Sequence, residues 1–510
     1  MTKRTTKFVT VLALAVFVLA GINCFAALTV EVNAAGSTGA FNAFALAAHN
    51  SSACGTNVWT KKAGGTAVDN RPGTSSTTGN IWVVWNTKKT TVCSYLAVDS
   101  VIGQQMFFAV PRATLSISSS LIGSAGDNLI ATLTDVPLDS DVYNALNTLT
   151  FNAAPTDVRA EDCLFAMNRV LAPLDTVHYN GLGYGPGPIG TAIKSSQSSG
   201  SVTPNGYAIT GNDPISGLAV PAFKQINVGA QVMMFFVNTS DKNSGGFGTA
   251  AFGNVSRFAL ADMLNGRLTR TRDIANQTGL PSIGARVFLR EPTSGTYNTT
   301  EFSIPRTAEI NSTQELNVDP SIDNPLNQAY ASGGTRQRVV GSGEMVKTVG
   351  ATEDALGYAF WSTTSFANVL STTKYLSVDG ADPLFPIYTG GAFPVCSAPC
   401  PGLVPFTNVA NGGYPAWNIL RVVTGVPTPP GVSALIKTAQ TQVSNIPDFL
   451  PLGALQVFRA HYTQSGKAAA NGLVAGRPES GGDVGGAVFP ISADADFFAD
   501  TGKELVNQKQ

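Results

Sequence analysis

Short apolar runs, each the length of a strand, recur along the chain with helix-like stretches between them. Leu28 to Val32, Gln231 to Val237, Arg286 to Leu289 and Ile419 to Val423 read as strands, and Ala355 to Phe360 reads as a buried strand that carries packing rather than chemistry. Val255 to Leu264 has its apolar residues at helical spacing, and Gly266 stands where a C-terminal cap belongs. Phe41 to Ala48 and Glu161 to Leu171 also read as helical. Strands alternating with helices predict an α/β fold. A chain of 510 residues exceeds what one core serves, so two or three lobes are expected. The Gly- and Ser-rich stretches Gly181 to Gly190 and Ser195 to Gly211 read as surface insertions. Pro186 and Pro188 interrupt the first of them, which argues against a phosphate loop opening a helix there.

The N-terminus changes the picture of where the chain works. Lys3, Arg4 and Lys7 precede the apolar stretch Phe8 to Ala20, and Cys24-Phe25-Ala26 offers a cut site, so residues 1–26 read as a cleavable export signal. A membrane anchor is the competing reading, but the apolar core is shorter than the ~20 residues a span needs. No later run is long enough to cross a membrane. Loss of the signal removes three positive charges from a formal balance of −1, which makes nucleic acid an unfitting partner. Charged residues are only 13%, about half the usual share, so the surface is neutral and hydroxyl-rich. A periplasmic or secreted location follows. In that setting the economical disulfides are Cys54 with Cys93 and Cys396 with Cys400, leaving Cys163 free and buried, although spacing alone does not fix connectivity. Zinc at Cys396 and Cys400 lacks a second pair of ligands, so no metal and no cofactor is expected.

Three polar segments carry the candidate chemistry. Arg290-Glu291-Pro292-Thr293-Ser294-Gly295-Thr296 follows the apolar run Val287-Phe288-Leu289 and precedes a segment that can start a helix. A planar guanidinium, hydroxyls and glycine-exposed backbone N–H groups in that order suit an oxyanion. Ala35-Gly36-Ser37-Thr38-Gly39 follows the first strand and precedes a helix, and could bind an anion or simply cap the helix. Thr134-Asp135-Val136-Pro137-Leu138 follows the strand-like Leu129 to Leu133, where alone Asp135 is a turn or cap residue. A hydrolase is the rival class. Its support is thin: three histidines, His49, His178 and His461, none with a metal-ligand partner at helical spacing, no Gly-x-Ser-x-Gly elbow, and a Ser-x-x-Lys spacing at Ser371 to Lys374 that chance supplies.

Taken in order, these segments resemble the phosphate-binding protein of bacterial phosphate ABC transporters, in the type II periplasmic-binding-protein superfamily. Gly36, Ser37 and Thr38 match the family's opening Gly-x-Thr segment, Asp135 its Ser-Asp-x-Pro-Leu aspartate, and Arg290 with Ser294-Gly295-Thr296 its arginine and Ser-Gly-Thr loop. Leu264 to Thr269, Gly357-Tyr358 and Tyr414-Pro415 are similar to further family segments. The family's second serine loop has two candidate counterparts, Ser100 with Gly103 and the run Gly73 to Gly79. The chain departs from the family in three ways. Pro292 stands where an aspartate orients the arginine, with Glu291 as a substitute; Gly39 stands where an aromatic follows the threonine; and extra segments lie at Cys54 to Cys93, Asp157 to Gly217 and around Cys396.

The resemblance implies two α/β lobes joined by crossing strands, with the ligand between them. Residues 27–225 and 376–510 would form lobe 1 and 226–375 lobe 2, with crossings near Val220 to Val237 and Ala367 to Val378. It implies a non-enzymatic solute-binding protein that takes inorganic phosphate or a similar oxyanion for an ABC permease. Its ligand residues would be Ser37, Thr38, Gly39, Ser100, Asp135, Arg290, Ser294, Gly295 and Thr296. Asp135 beside an anion makes sense if the ligand carries a proton, since a carboxylate accepts from hydrogen phosphate and repels sulfate. A surface adhesion or assembly protein on the same scaffold is the alternative.

Overall fold

The structure, a computed structural model, describes residues 28–62, 79–172, 206–241, 245–248, 252–275, 283–305, 313–315, 328–395, 400, 402–459, 488–490 and 504–506. The export segment 1–26, the run 63–78, most of the two Gly/Ser-rich stretches, His178, His461 and Cys396 lie outside these residues.

Among the described residues, thirteen strands join into one mixed sheet: β1 (Thr29–Gly36), β2 (Asn57–Lys61), β3 (Asn80–Trp85), β4 (Thr91–Ala97), β5 (Ala153–Thr156), β6 (Phe223–Asn238), β7 (Arg286–Leu289), β8 (Gln328–Ala329), β9 (Thr335–Arg338), β10 (Ala355–Phe360), β11 (Thr373–Tyr375), β12 (Trp417–Gly425) and β13 (Glu504–Val506). Their spatial order is β2-β3-β4-β1-β5-β12-β6-β10-β7-β9-β8, with β11 and β13 also paired to β6. The helices that matter here are α1 (Phe41–Asn50), α2 (Ser100–Phe108), α3 (Ala160–Leu171), α4 (Arg257–Leu264), α5 (Gly295–Ser303), α6 (Ser342–Ala351) and α7 (Pro430–Gln442). The expected α/β class, with helices on a large sheet, is what the chain forms.

The sheet has two halves that meet on β6 and β12. β1 runs parallel to β4 and β5, and β7 runs parallel to β9 and β10, as strands linked through helices must. β6 is antiparallel to β12 along its first part and to β10 along its last, so this sixteen-residue strand belongs to both halves. One core, with Phe235, Phe236, Leu289, Val349 and Phe366, fills the second half; two further clusters cover the faces of β1 to β5.

Three readings from sequence change. Leu376, Leu384, Phe393, Val404 and Tyr414 pack in the second core, so the chain returns to the first half along β12 and not at 376. The segment 367–378 does not cross between halves: its strand β11 pairs with the far end of β6 at Phe236 to Asn238. Leu129 to Leu133 is a turn, because Asn128 at φ 50° and the Thr60 side chain capture its backbone. As expected, the Cys54–Cys93 disulfide forms, and the described part of that extra segment adds β2 and β3 to the sheet beside β4. Cys163 is free and buried, and Cys400 is disulfide-bonded.

Candidate functional site at the seam between the two halves

Four helices begin at one place, two of them from buried residues (Ser100, Gly295) and two from half-buried ones (Thr38, Ser342). Thr38 opens a short turn leading into α1 after β1, Ser100 opens α2 after β4, Gly295 opens α5 after β7, and Ser342 opens α6. Each follows a strand or loop that ends at the seam, which is why backbone N–H dipoles from both halves point there. Local sequence sets each start. Ser37 Oγ accepts from Gly39 N–H at 3.0 Å, and Ser294 Oγ accepts from Thr296 N–H at 3.1 Å and Tyr297 N–H at 3.4 Å, the hydroxyl caps expected of those positions. Gly341, at φ 84°, turns the chain into α6 in a conformation that favours glycine.

Arg290 lies fully buried among these starts. Its Nε donates to Glu291 Oε2 at 2.9 Å and its Nη2 to Glu291 Oε1 at 2.8 Å and Asp99 Oδ1 at 3.2 Å. Its Nη1 donates to Thr296 Oγ1 at 3.1 Å and Ser342 Oγ at 2.8 Å. All five guanidinium N–H groups are therefore engaged. Ser342 Oγ also lies 3.2 Å from Thr38 Oγ1, so one hydroxyl joins the first-half threonine to the second-half arginine. Glu291 fills the orienting place that Pro292 leaves open.

Asp157, the residue after β5, lies within electrostatic reach of Arg290. Ser37 Oγ donates to its Oδ1, Ser100 Oγ donates to its Oδ2 at 2.9 Å, and its own N–H donates to Ser100 Oγ at 3.1 Å. A methyl on Gly295 would come within 2.3 Å of Asp157 Oδ2 and 2.5 Å of Ser100 Oγ, so glycine is needed where the α5 start meets this carboxyl.

Burial drives the electrostatics. It pushes Asp157 up to about 6, against the pull of the Ser37 and Ser100 hydroxyls, Arg290 and Arg421. Burial and the Glu291 carboxylate raise Asp99 well above the usual range. For Glu291 burial acts upward, but the Arg290 charge overcomes it and holds the group low. Arg290 is likewise held above its ordinary value, the desolvation that would lower it being outweighed by Glu291 and Asp99.

Ser37, Thr38, Gly39, Ser100, Arg290, Ser294, Gly295 and Thr296 thus come together; Asp135 does not. Its Oδ2 accepts from Thr60 N–H at 2.9 Å, Thr60 Oγ1 at 2.6 Å and Asn128 N–H at 3.0 Å in a turn beside β2. Those three donors fix it as a turn residue, and Asp157 stands in the place proposed for it. Of the two candidates for a second serine loop, Ser100 is at the seam, and 63–78 is outside the described residues. Of the rival catalytic pair, Ser371 is exposed and Lys374 Nζ sits 5.9 Å over the Phe252 ring. Among the described residues no group of His, Cys, Asp and Glu could hold a metal, and no helix is long and apolar enough to cross a membrane.

Sequence reasoning missed Asp99, Asp157, Ser342 and Arg421. Arg421 had a signal: a charge in the middle of the apolar strand Trp417 to Val423 is costly to bury and needs a reason. Asp157 had one too, the pair Thr156-Asp157 between a strand and a helix.

No protein-family model matches the chain, and no curated protein does. Similar solved structures include a phosphate-binding protein from Stenotrophomonas maltophilia (15% identity, TM-score 0.33), covering 70% of this chain and 83% of the other. A high-affinity periplasmic phosphate-binding protein bound with phosphate, PfluDING, has 11% identity, TM-score 0.33 and the same coverage. An ABC-type phosphate transport receptor from Vibrio cholerae has 15% identity and TM-score 0.28, covering 47% of this chain and 78% of the other. With every TM-score below 0.5, the residues of this chain carry the reading that follows.

Proposed function

We propose that the chain is an exported solute-binding protein that captures a small oxyanion of the phosphate class between its two halves. The observation behind this is the meeting of four helix N-termini around the buried Arg290. Aligned N–H groups and hydroxyls replace the water of a small anion without many full counter-charges, which suits a chain so poor in Lys and Arg. Thr296 and Ser342 now accept from Arg290; on binding they turn their hydroxyl protons to the ligand, and Nη1 is released to it. Asp157 takes the role first given to Asp135. Ionised, it accepts a hydrogen bond from hydrogen phosphate and repels sulfate. Contacts from both halves would favour closure, and an ABC-type permease would be the partner if the role is uptake.

Calorimetry on the signal-free protein tests the reading. Phosphate binding at micromolar strength or better is expected, about −8 kcal/mol, with sulfate much weaker. Absence of heat with phosphate would end it.

A second reading, an adhesion or assembly protein on this scaffold, is favoured by one observation. Asp99 and Glu291 already neutralise Arg290, and the halves are further joined by a buried Arg169–Glu301 ion pair at 3.3 Å and by Phe165 against Phe302 at 5.9 Å. Thermal stabilisation separates the two: phosphate at 100 times its dissociation constant adds about 2.7 kcal/mol to folding only in the first case.

A further inference from the structure

The ladder that holds β7 stops short of Arg290: β9 pairs with it as far as Leu289, and β10 only as far as Val287. Side chains hold the main chain of Arg290 instead. Its N–H donates to Tyr358 Oη at 3.0 Å, and its carbonyl accepts from Arg338 Nη1 at 2.9 Å. All three residues are fully buried, so losing either partner leaves a main-chain polar group of the site's arginine buried and unpaired.

Both partners are themselves set by one short buried segment, Thr313-Gln314-Glu315. Tyr358 Oη donates to Gln314 Oε1, and Arg338 Nη2 donates to Glu315 Oε1 at 2.7 Å. The segment is fastened in turn to α5, whose start forms part of the site: Thr313 Oγ1 and Gln314 N–H donate to Glu301 Oε1 at 2.6 Å and 2.7 Å. A group from the first half completes the arrangement. Arg169 of α3 donates from Nη2 to Thr313 Oγ1 at 2.6 Å and pairs with Glu301 Oε2 at 3.3 Å. A continuous run of buried contacts thus leads from α3, through residues 313–315, to the main chain of Arg290.

Building on the oxyanion reading, we infer that Tyr358 and Arg338 are positioning residues for the anion, and that residues 313–315 set them according to whether Arg169 of the first half is in place. A guanidinium selects an anion by direction as well as by charge, so an Arg290 peptide free to turn would cost the site its aim. Fully paired buried networks hold one arrangement, and this one is complete only when α3 has met α5. Closure then does more than gather donors from two halves. It also fixes the arginine that the second half supplies.

The test is calorimetry of the signal-free protein and its variants with inorganic phosphate, beside the NMR resonance of the Arg290 Nε–H, identified by its absence in Arg290→Lys. Tyr358→Phe removes one hydroxyl; it should weaken phosphate binding about tenfold and displace or broaden that resonance, which a merely structural role would leave in place. Arg169→Met should weaken binding at least about threefold, and the double variant should bind no worse than Tyr358→Phe alone, because the run is already cut. Where Arg169→Met fails to fold, Arg169→Lys replaces it, leaving Glu301 a charge but no fork to share with Thr313. Unchanged affinity and an unmoved resonance in Tyr358→Phe refute the positioning role while the oxyanion site stands. Penalties that simply add overturn the link to Arg169. If the unmodified chain gives no heat with phosphate, the oxyanion reading and this inference fall together.

Discussion

Two aspartates of this chain follow a threonine and press against a glycine, and they do different things. Thr134-Asp135 sits in a turn beside β2, where its carboxylate closes a loop around Thr60 and Asn128, with Gly126 against it. Thr156-Asp157 ends a buried strand, where its carboxyl meets Ser37, Ser100, the α5 start at Gly295 and the field of two arginines. The dipeptide is the same; what surrounds it is set by whether the preceding residues join the central sheet. A local motif therefore locates chemistry only when its strand is placed correctly.

The largest expected effect comes from taking away what distinguishes the second corner. Arg290→Ala should lower phosphate affinity at least about 100-fold, since it removes charge-assisted hydrogen bonds. It should also destabilise the fold by about 3 kcal/mol or more, because Asp99 and Glu291 lose their buried counter-charge. Urea unfolding beside calorimetry separates the two losses, and full affinity in this variant would remove Arg290 from the site.

Next comes Gly295→Ala. Its added methyl collides with Asp157 and Ser100, so phosphate affinity should drop about tenfold or more. Gly126→Ala collides as closely with Asp135 but should change folding stability alone. Equal effects of the two on binding would erase the contrast.

Asp157→Asn should bring the phosphate-to-sulfate affinity ratio toward one, by about tenfold, whereas Asp135→Asn should leave that ratio unchanged and cost about 1–2 kcal/mol of stability. The pH dependence sharpens the same point. Folding raises the Asp157 pKa to about 6, so its stabilising contribution is present below the ordinary aspartate range and is lost as pH rises through 6. Stability should thus fall by about 2–3 kcal/mol on this account between pH 4 and 7, and less in Asp157→Asn. Denaturant midpoints across that range read it directly, and a midpoint profile that the substitution leaves unaltered would contradict the assignment.

Much of the fold was legible because its signals are local. Arg286 to Leu289 is β7 as read, Ala355 to Phe360 is β10, and the helix ending at Leu264 before Gly266 at φ 79° is α4 with its glycine cap. The grouping of Arg290 with Ser294, Gly295 and Thr296 was legible for the same reason: they lie within seven residues. What the sequence hid is non-local. β5 is only Ala-Ala-Pro-Thr, without the β-branched run that marks a strand, and becomes one because β1 and β12 flank it. Asp157 was lost with it. Asp99 and Ser342 matter through Arg290, from 191 and 52 residues away, a distance no spacing rule spans.

The pairing of β6 with β12 slips by one residue between Leu420 and Arg421, opposite Gly229 and Asn227. Such a slip bends and twists a ribbon, and glycine facing it adds freedom. The bend falls on the stretch that also holds the buried Arg421 guanidinium. The bend of the ribbon and the charge that acts on Asp157 belong to the same few residues, so a substitution meant to alter one inevitably retunes the other.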